Sequence, residues 1–458
     1  MIEVVQAFDR APIVKLESDD AAALERKIQT AARLFADRGA WLKPHQRIDI
    51  LRKLAGLMEG RRAHLGSQIA REGGKPLTDA LVETDRAIDG VRNAADELRV
   101  MGGREIPMGL TPASTDRRAF TIVEPLGVVA AISAFNHPLN LIVHQVVPAI
   151  AVGCPVIVKP APLTPLSCIE FVNLLREAGL PQGWCQTFLP ESNELAEAFA
   201  TDPRIAFLSF IGSSRVGWHL RSKLPPGTRC ALEHGGAAPA IIDRSANLDQ
   251  VVEPLTKGSY YHAGQVCVST QRIYIHADLE REFLDCFSAR VHALKVGDPA
   301  LPETEVGPLI LPREADRVSA WIEEAVSGGA RLIGGGRASS TTLLPSIIVN
   351  PHREAKVSTL EVFGPTTCVY PFTHLDEAIM AANALPLAFQ ASIFTEDLRT
   401  AWNAAERLTA SAVMVNDHTA FRTDWMPFAG RRQSGYGIGG IPWTMREMSQ
   451  HKMIVLRT

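Results

Sequence analysis

The sequence predicts an α/β protein built on a parallel, doubly wound sheet. Three observations carry that reading. Helix-like and strand-like segments alternate through most of the 458 residues. The middle of the chain runs strand, helix, strand, helix, strand, with apolar runs at Pro155 to Lys159, Ile205 to Phe210 and Pro239 to Asp243. Hydrophobic residues make up 46% against 21% charged, enough for a sizeable core in two or three domains.

Residues 45–58 carry Ile48, Leu51, Ala55 and Met58 at helical spacing. The most apolar stretch, Leu141 to Val158, is interrupted by His144, Gln145 and Pro148, so it reads as a buried helix, a turn and a strand, not a membrane span. Pro155 to Lys159 then leads into a helix for which Thr164 is the natural N-cap, Pro165 the first position and Gly179 the end. The run Ile205 to Phe210 leads into Gly212-Ser213-Ser214 and a second helix, and Gly235-Gly236 precede the third strand. Residues 314–327 repeat the helical pattern until Gly328 and Gly329 stop it. Residues 113–125 and 450–458 are strand-like with no helix beside them. Such strands either lie at an edge within one subunit or complete a neighbouring subunit's sheet.

Composition excludes several function classes. With 47 basic and 50 acidic residues the net charge is -3, which gives no electrostatic case for nucleic acid or an anionic membrane. The seven cysteines are dispersed and form no CxxC, so neither a disulfide framework nor a zinc knuckle is expected, and a reducing cytoplasm fits. The first residues show no signal-peptide pattern.

Several residues could carry chemistry. Cys267, in AGQVCVST, reads alone as a buried small hydrophobe or as an accessible nucleophile. Glu233, between Leu232 and a Gly-Gly turn, is an exposed loop carboxylate or a desolvated general base. Asn136, in SAFNHPLN, is a turn residue or a donor to an oxyanion. Ser213 opens a helix after a strand and could face a phosphate, and Lys159 could bind a ribose or phosphate; a helix cap and a solvated lysine are the plain alternatives. The GYGIGG run at 435–440 has the letters of a dinucleotide fingerprint but lacks the preceding strand, and reads as a flexible turn.

Together FNHPLN, VIVKPAPLTP, FIGSSRVG, LEHGG, GQVC, EVFGP and PFAGRRQSG resemble, in order and over nearly the whole chain, the aldehyde dehydrogenase superfamily. The wording is similar to its lactaldehyde and phosphonoacetaldehyde dehydrogenase-like branch. The resemblance implies a Rossmann-type cofactor domain over 1–112 and 126–234. It implies an α/β catalytic domain over 235–430 and a small β oligomerisation arm from 113–125 and 431–458. It implies Cys267 as nucleophile, Asn136 as oxyanion donor and Glu233 as the base that activates water. For NAD, or NADP, it implies Ile132, Ser133, Lys159, Gly212, Ser213, Val216, Gly235, Glu361 and Phe363. It implies a small aldehyde substrate, a homodimer or homotetramer, and no metal, nucleic acid or membrane.

The chain departs from the family pattern in places. Pro162 stands where many relatives carry a ribose-binding glutamate, so the choice between NAD and NADP stays open. His234 and His262 replace residues common in relatives, and packing explains them better than metal binding. The segment ALPLAFQASIFT lacks a common glycine. Arg422 and His137 are expected to hold an anionic or hydroxylated substrate tail; the alternative for Arg422 is a structural salt bridge. Two rival functions remain. A CoA-acylating enzyme would not need Glu233, and a non-catalytic binding protein would not keep the nucleophile and base.

Overall fold

The computed structural model describes residues 1–457. Its frame is two separate, mainly parallel sheets, each with one antiparallel edge strand. The six-stranded sheet runs, in order, Gly435–Tyr436, Arg229–Glu233, Ile205–Ile211, Val128–Ile132, Val156–Lys159 and Cys185–Thr187. All its pairings are parallel except that of Gly435–Tyr436 with Arg229–Glu233. The chain starts at the central strand Val128–Ile132, winds to one side, and returns to the other. That is the doubly wound pattern, and its reversal opens a crevice at the strand carboxyl ends. The central strand reads VVAAI with every residue buried, as a strand covered on both faces must be.

The seven-stranded sheet runs Arg331–Gly334, Ser346–Val349, Thr366–Phe372, Thr270–His276, Ala238–Ile242, Gln390–Phe394 and Ala412–Val415. The strand expected at Pro239 to Asp243 therefore exists, but it belongs to this second sheet. The chain crosses from one sheet to the other through Gly235-Gly236, a switch that periodicity cannot register. Arg229–Glu233, which the rhythm skipped, is the strand that stays behind.

Arg117–Pro125 and Ser449–Arg457 pair antiparallel along their whole length, with Glu105–Ile106 as third strand. The two isolated strands thus find each other within one chain. This three-stranded sheet is narrower than 113–125 plus 431–458: Gly435–Tyr436 joins the six-stranded sheet, and the helix Ile441–Glu447 buries Ile441 and Met445 in the core beside it.

The helix Asn140–Val152 is buried over all 13 residues and ends at Gly153, whose φ is +96°. Its polar residues each find partners; Gln145, for one, donates to the Ile132 and Ser209 carbonyls at 3.0 and 2.9 Å. The helix after Lys159 starts at Leu166, and Thr164 does not cap it. The buried Glu72 carboxylate does so instead, accepting from Leu166 N–H and Ser167 N–H at 2.8 Å each and from the Ser167 hydroxyl at 2.5 Å. A cap supplied from 94 residues away leaves no local trace. Among the described residues no helix is long and apolar enough to cross a membrane.

Candidate active site

A cavity of about 1160 Å³ lies between the two parallel sheets. The six-stranded sheet contributes strand carboxyl ends: Ile132 and Ser133, Lys159, Gly212 with Ser213, and Glu233 with His234 and Gly235. The seven-stranded sheet contributes segments that precede its strands: Cys267 ahead of Thr270–His276, and Glu361 and Phe363 ahead of Thr366–Phe372. Asn136, His137, Val216, Pro162 and Arg422 complete the wall. Every residue singled out for chemistry or binding thus borders one space, whereas residues 435–440 do not line it.

The cavity is furnished for a ligand with polar groups at one end. Ser213 stands at the N-cap position of the helix Ser214–Ser222 without a side-chain cap hydrogen bond, at the end where a helix leaves its first N–H groups open. The Lys159 amine has only the Pro160 carbonyl at 3.4 Å, and burial pushes its pKa down. The Ser133 hydroxyl and Glu361 Oε1 are buried without a partner. Burial, partly offset by a hydrogen bond from the Gly236 backbone, pushes the Glu361 carboxyl up to about 8. A Cβ at Gly235 would stand 1.7 Å from that carboxylate, so only glycine lets Glu361 lie across the loop. Phe363, with φ of +50°, meets Phe135 edge to face at 5.9 Å.

At the other end sits Cys267. It follows three successive residues with positive φ, His262, Ala263 and Gly264, a strained approach of the kind found at functional sites. Burial pushes its thiol up to about 12; Arg422 pulls it down, while Glu233 and Glu361 add to the rise. Burial likewise raises the Glu233 carboxyl, against the pull of Arg422. A Cβ at Gly439 would come within 2.1 Å of Glu233 Oε1. The GYGIGG segment is therefore not a free turn: it pairs with the strand that ends in Glu233 and leaves room for its carboxylate.

Asn136 is buried and donates its amide to the Gln265 carbonyl at 3.0 Å, tying it to the loop that carries Cys267. Its own loop is held by Glu83, which accepts from Leu139 N–H and Asn140 N–H at 3.0 Å each and pairs with the fully buried Lys75. His137 lies against the Tyr261 hydroxyl at 3.3 Å; burial and the Lys75 charge hold it well below the usual histidine range, so it is neutral. Arg422 makes no salt bridge among the described residues; Arg86 takes Asp424 instead, at 2.8 Å. The Arg422 guanidinium rests 3.5 Å from the Phe428 ring centre and meets His144 Nδ1 at 3.2 Å. His234 fills space, with Nδ1 at 2.9 Å from the Gly212 carbonyl oxygen. His262 is buried with neither ring nitrogen paired. Among the described residues no cluster of His, Cys, Asp and Glu could hold a metal ion.

Sequence reading missed Arg86, His144, Asp424 and Tyr261. Arg86 and His144 meet Asp424 across 338 and 280 positions and Tyr261 meets His137 across 124, so only the helical i, i+4 spacing of Asn140 and His144 offered a local sign of a shared polar face.

A deep cleft between two parallel sheets, with a thiol, a carboxyl and a buried amide at one end, is the architecture of an enzyme that works on a small carbonyl-sized group. The chain belongs to the aldehyde dehydrogenase family, whose family model matches residues 1–454. It is an enzyme that oxidises an aldehyde to an acid. It is 34% identical over 456 residues to a 3-sulfolactaldehyde dehydrogenase of Priestia aryabhattai, covering 99% of this chain and 94% of the relative. It superposes on aldehyde dehydrogenase 21 of Physcomitrella patens, solved with its reaction product succinate, with a TM-score of 0.96 and 32% identity, covering 100% and 95% of the two chains. It also superposes on a glyceraldehyde-3-phosphate dehydrogenase of Methanocaldococcus jannaschii solved with NADP, with a TM-score of 0.95 and 31% identity, covering 100% and 99%.

Proposed function

We propose that this chain oxidises a small aldehyde with an anionic or hydroxylated tail to its carboxylic acid, through a thioester on Cys267. The observation that carries the proposal is the meeting of Cys267, Glu233, Asn136 and Arg422 around one cavity. The Cys267 sulfur adds to the aldehyde carbon, because an aldehyde cannot release hydride until that carbon is tetrahedral. Asn136, held by Gln265, presents its amide to the oxygen that gains charge. A nicotinamide dinucleotide, NAD or NADP, supplies the hydride acceptor when bound. The unpartnered Ser133 Oγ and Glu361 Oε1, the Lys159 amine with only the Pro160 carbonyl beside it, and the helix start at Ser213 fit such a group, with Ile132, Gly212, Val216, Gly235 and Phe363 around it. Pro162 carries no charge that would repel a 2′-phosphate.

Glu233 takes a proton from the water that attacks the thioester, and Cys267 leaves as the thiol. A carboxyl raised by burial is a stronger base than an exposed one once ionised. Its presence beside the thiol favours hydrolysis over acyl transfer to CoA.

Arg422, with His137 beside it, receives the tail. The names of two relatives, for a sulfonated aldehyde and for a succinate product, support an anion there. A substrate panel tests the reading: succinic semialdehyde against butanal, with NAD and with NADP. Losing one charge-assisted bond costs roughly 1.5–3 kcal/mol, so Arg422→Ala should lower kcat/KM for the anionic aldehyde about 10- to 150-fold and spare butanal. Equal losses on both substrates would reject the tail site.

We further read residues 1–112 and 126–234 as a cofactor domain, 235–430 as a catalytic domain, and 113–125 with 431–458, whose long strands are Arg117–Pro125 and Ser449–Arg457, as the arm of a homodimer or homotetramer. Its exposed Phe120, Met453, Val455 and Leu456 support that last reading. The seven unbonded cysteines support a reducing cytoplasm.

A further inference from the structure

Arg422 reaches the Cys267 end of the cavity on a scaffold that the reaction itself does not use. Asp424 is its foundation. That carboxylate accepts from Arg86 Nε at 3.1 Å and Nη2 at 2.8 Å, from Asn140 Nδ2 at 3.0 Å, and from His144 Nε2 at 2.7 Å. Burial alone would raise the Asp424 carboxyl, but the His144 hydrogen bond and the charges of Arg86 and Arg422 hold it well below the usual carboxylate range. The other nitrogen of His144, Nδ1, stands 3.2 Å from Arg422 Nη2.

A guanidinium carries donors only, so the nitrogen facing it must be a bare acceptor. His144 is therefore neutral, with its proton on Nε2 and donated to Asp424. Burial and the Arg422 charge push its pKa down to about 4, which keeps the ring in this form across the neutral range. Phe428 flanks the guanidinium on another side, and Arg422 Nε stays unpartnered. His144 does not itself line the cavity.

We propose that His144 is a positioning residue: Asp424 locks its tautomer, and its Nδ1 fixes Arg422 as the receptor for the substrate's anionic tail. This rests on the reading of Arg422 given above. A long arginine left free must be ordered each time substrate binds, whereas one already held by an acceptor is not. The device therefore acts on the affinity for anionic aldehydes and not on the chemical step.

Two substitutions separate the ring's two nitrogens. His144→Gln can still donate to Asp424 but loses the acceptor facing Arg422. His144→Asn puts its oxygen where Nδ1 was. With succinic semialdehyde, His144→Gln should raise KM roughly tenfold, the effect of one weakened charge-assisted bond, and leave kcat nearly unchanged. With butanal neither constant should move by more than about twofold, and His144→Asn should restore most of the anionic preference. Asp424→Asn, which removes the charge that locks the tautomer, should move in the same direction and serves if His144→Gln does not fold. Equal effects of His144→Gln on both aldehydes, or an Asn variant as impaired as the Gln variant, overturn the proposal. If Arg422→Ala abolishes the anionic preference while His144→Gln keeps it, only the positioning role fails. If Arg422→Ala leaves the preference intact, the tail site itself fails.

Discussion

The two ends of the cavity are built by different rules. The glycine-lined end takes most of its parts from short contiguous segments, each at the end of one strand: Ser133, Lys159, Gly212-Ser213 and Gly235, with Glu361 and Phe363 added from one segment of the other sheet. Its donors are a helix start, a hydroxyl and one amine. The arginine end is assembled from side chains that meet only in three dimensions: Arg86 and Asp424 are 338 positions apart, and His144 and Arg422 are 278 apart. One end presents backbone on loops; the other suspends charged side chains in a buried network. A contiguous site tolerates little change in backbone shape, and a networked site tolerates little change in charge.

That contrast can be broken experimentally. Asn136, tied to the Cys267 loop through the Gln265 carbonyl, serves every aldehyde alike, and its loss should be felt most. Removing one prearranged oxyanion donor costs about 10²- to 10³-fold in kcat. Asn136→Ala should show that loss for anionic and neutral aldehydes alike, measured as steady-state kcat with each; a loss confined to one class would assign Asn136 to the tail site.

Gly235→Ala probes the glycine-lined end. Its new Cβ would collide with the Glu361 carboxylate. Overpacking of this kind costs roughly 1–3 kcal/mol, so KM for the dinucleotide should rise about 5- to 150-fold with little change in preference among aldehydes. An unchanged cofactor KM would show that Glu361 is not needed there.

The smallest effect sharpens the comparison by exception. Glu72 is a long-range carboxylate that serves the glycine-lined end from outside the cavity, where it caps the helix after Lys159. Glu72→Ala strands buried donors at a cost of roughly 1–3 kcal/mol, which should appear in denaturant unfolding and not in aldehyde KM.

The same division explains what could be read in the sequence. Cys267, Glu233 and Asn136 each sit in a motif of a few residues, and the strand ends that carry them follow from local apolar runs. The crossing between sheets at Gly235-Gly236 was hidden from periodicity, because a parallel strand looks alike in either sheet, and only the family resemblance put a domain boundary there. Thr164 had the local features of a cap, and a distant carboxylate took the task from it. Residues 435–440 looked like loose punctuation, yet they border the sheet and make room for Glu233, since glycine suits a turn and a close approach equally. The Asp424 network was out of reach because nothing local marks a charge whose partners lie on other elements.

The central claim is that the sulfur of Cys267 carries the acyl group until Glu233 brings in water. Glu233→Gln, mixed with dinucleotide and succinic semialdehyde, tests it by mass spectrometry of the intact protein alongside absorbance of the reduced cofactor. The account predicts one equivalent of reduced cofactor, a stable succinyl adduct that maps to Cys267, and turnover lowered about 10²- to 10⁴-fold. Wild-type turnover with no adduct on Cys267 would contradict it.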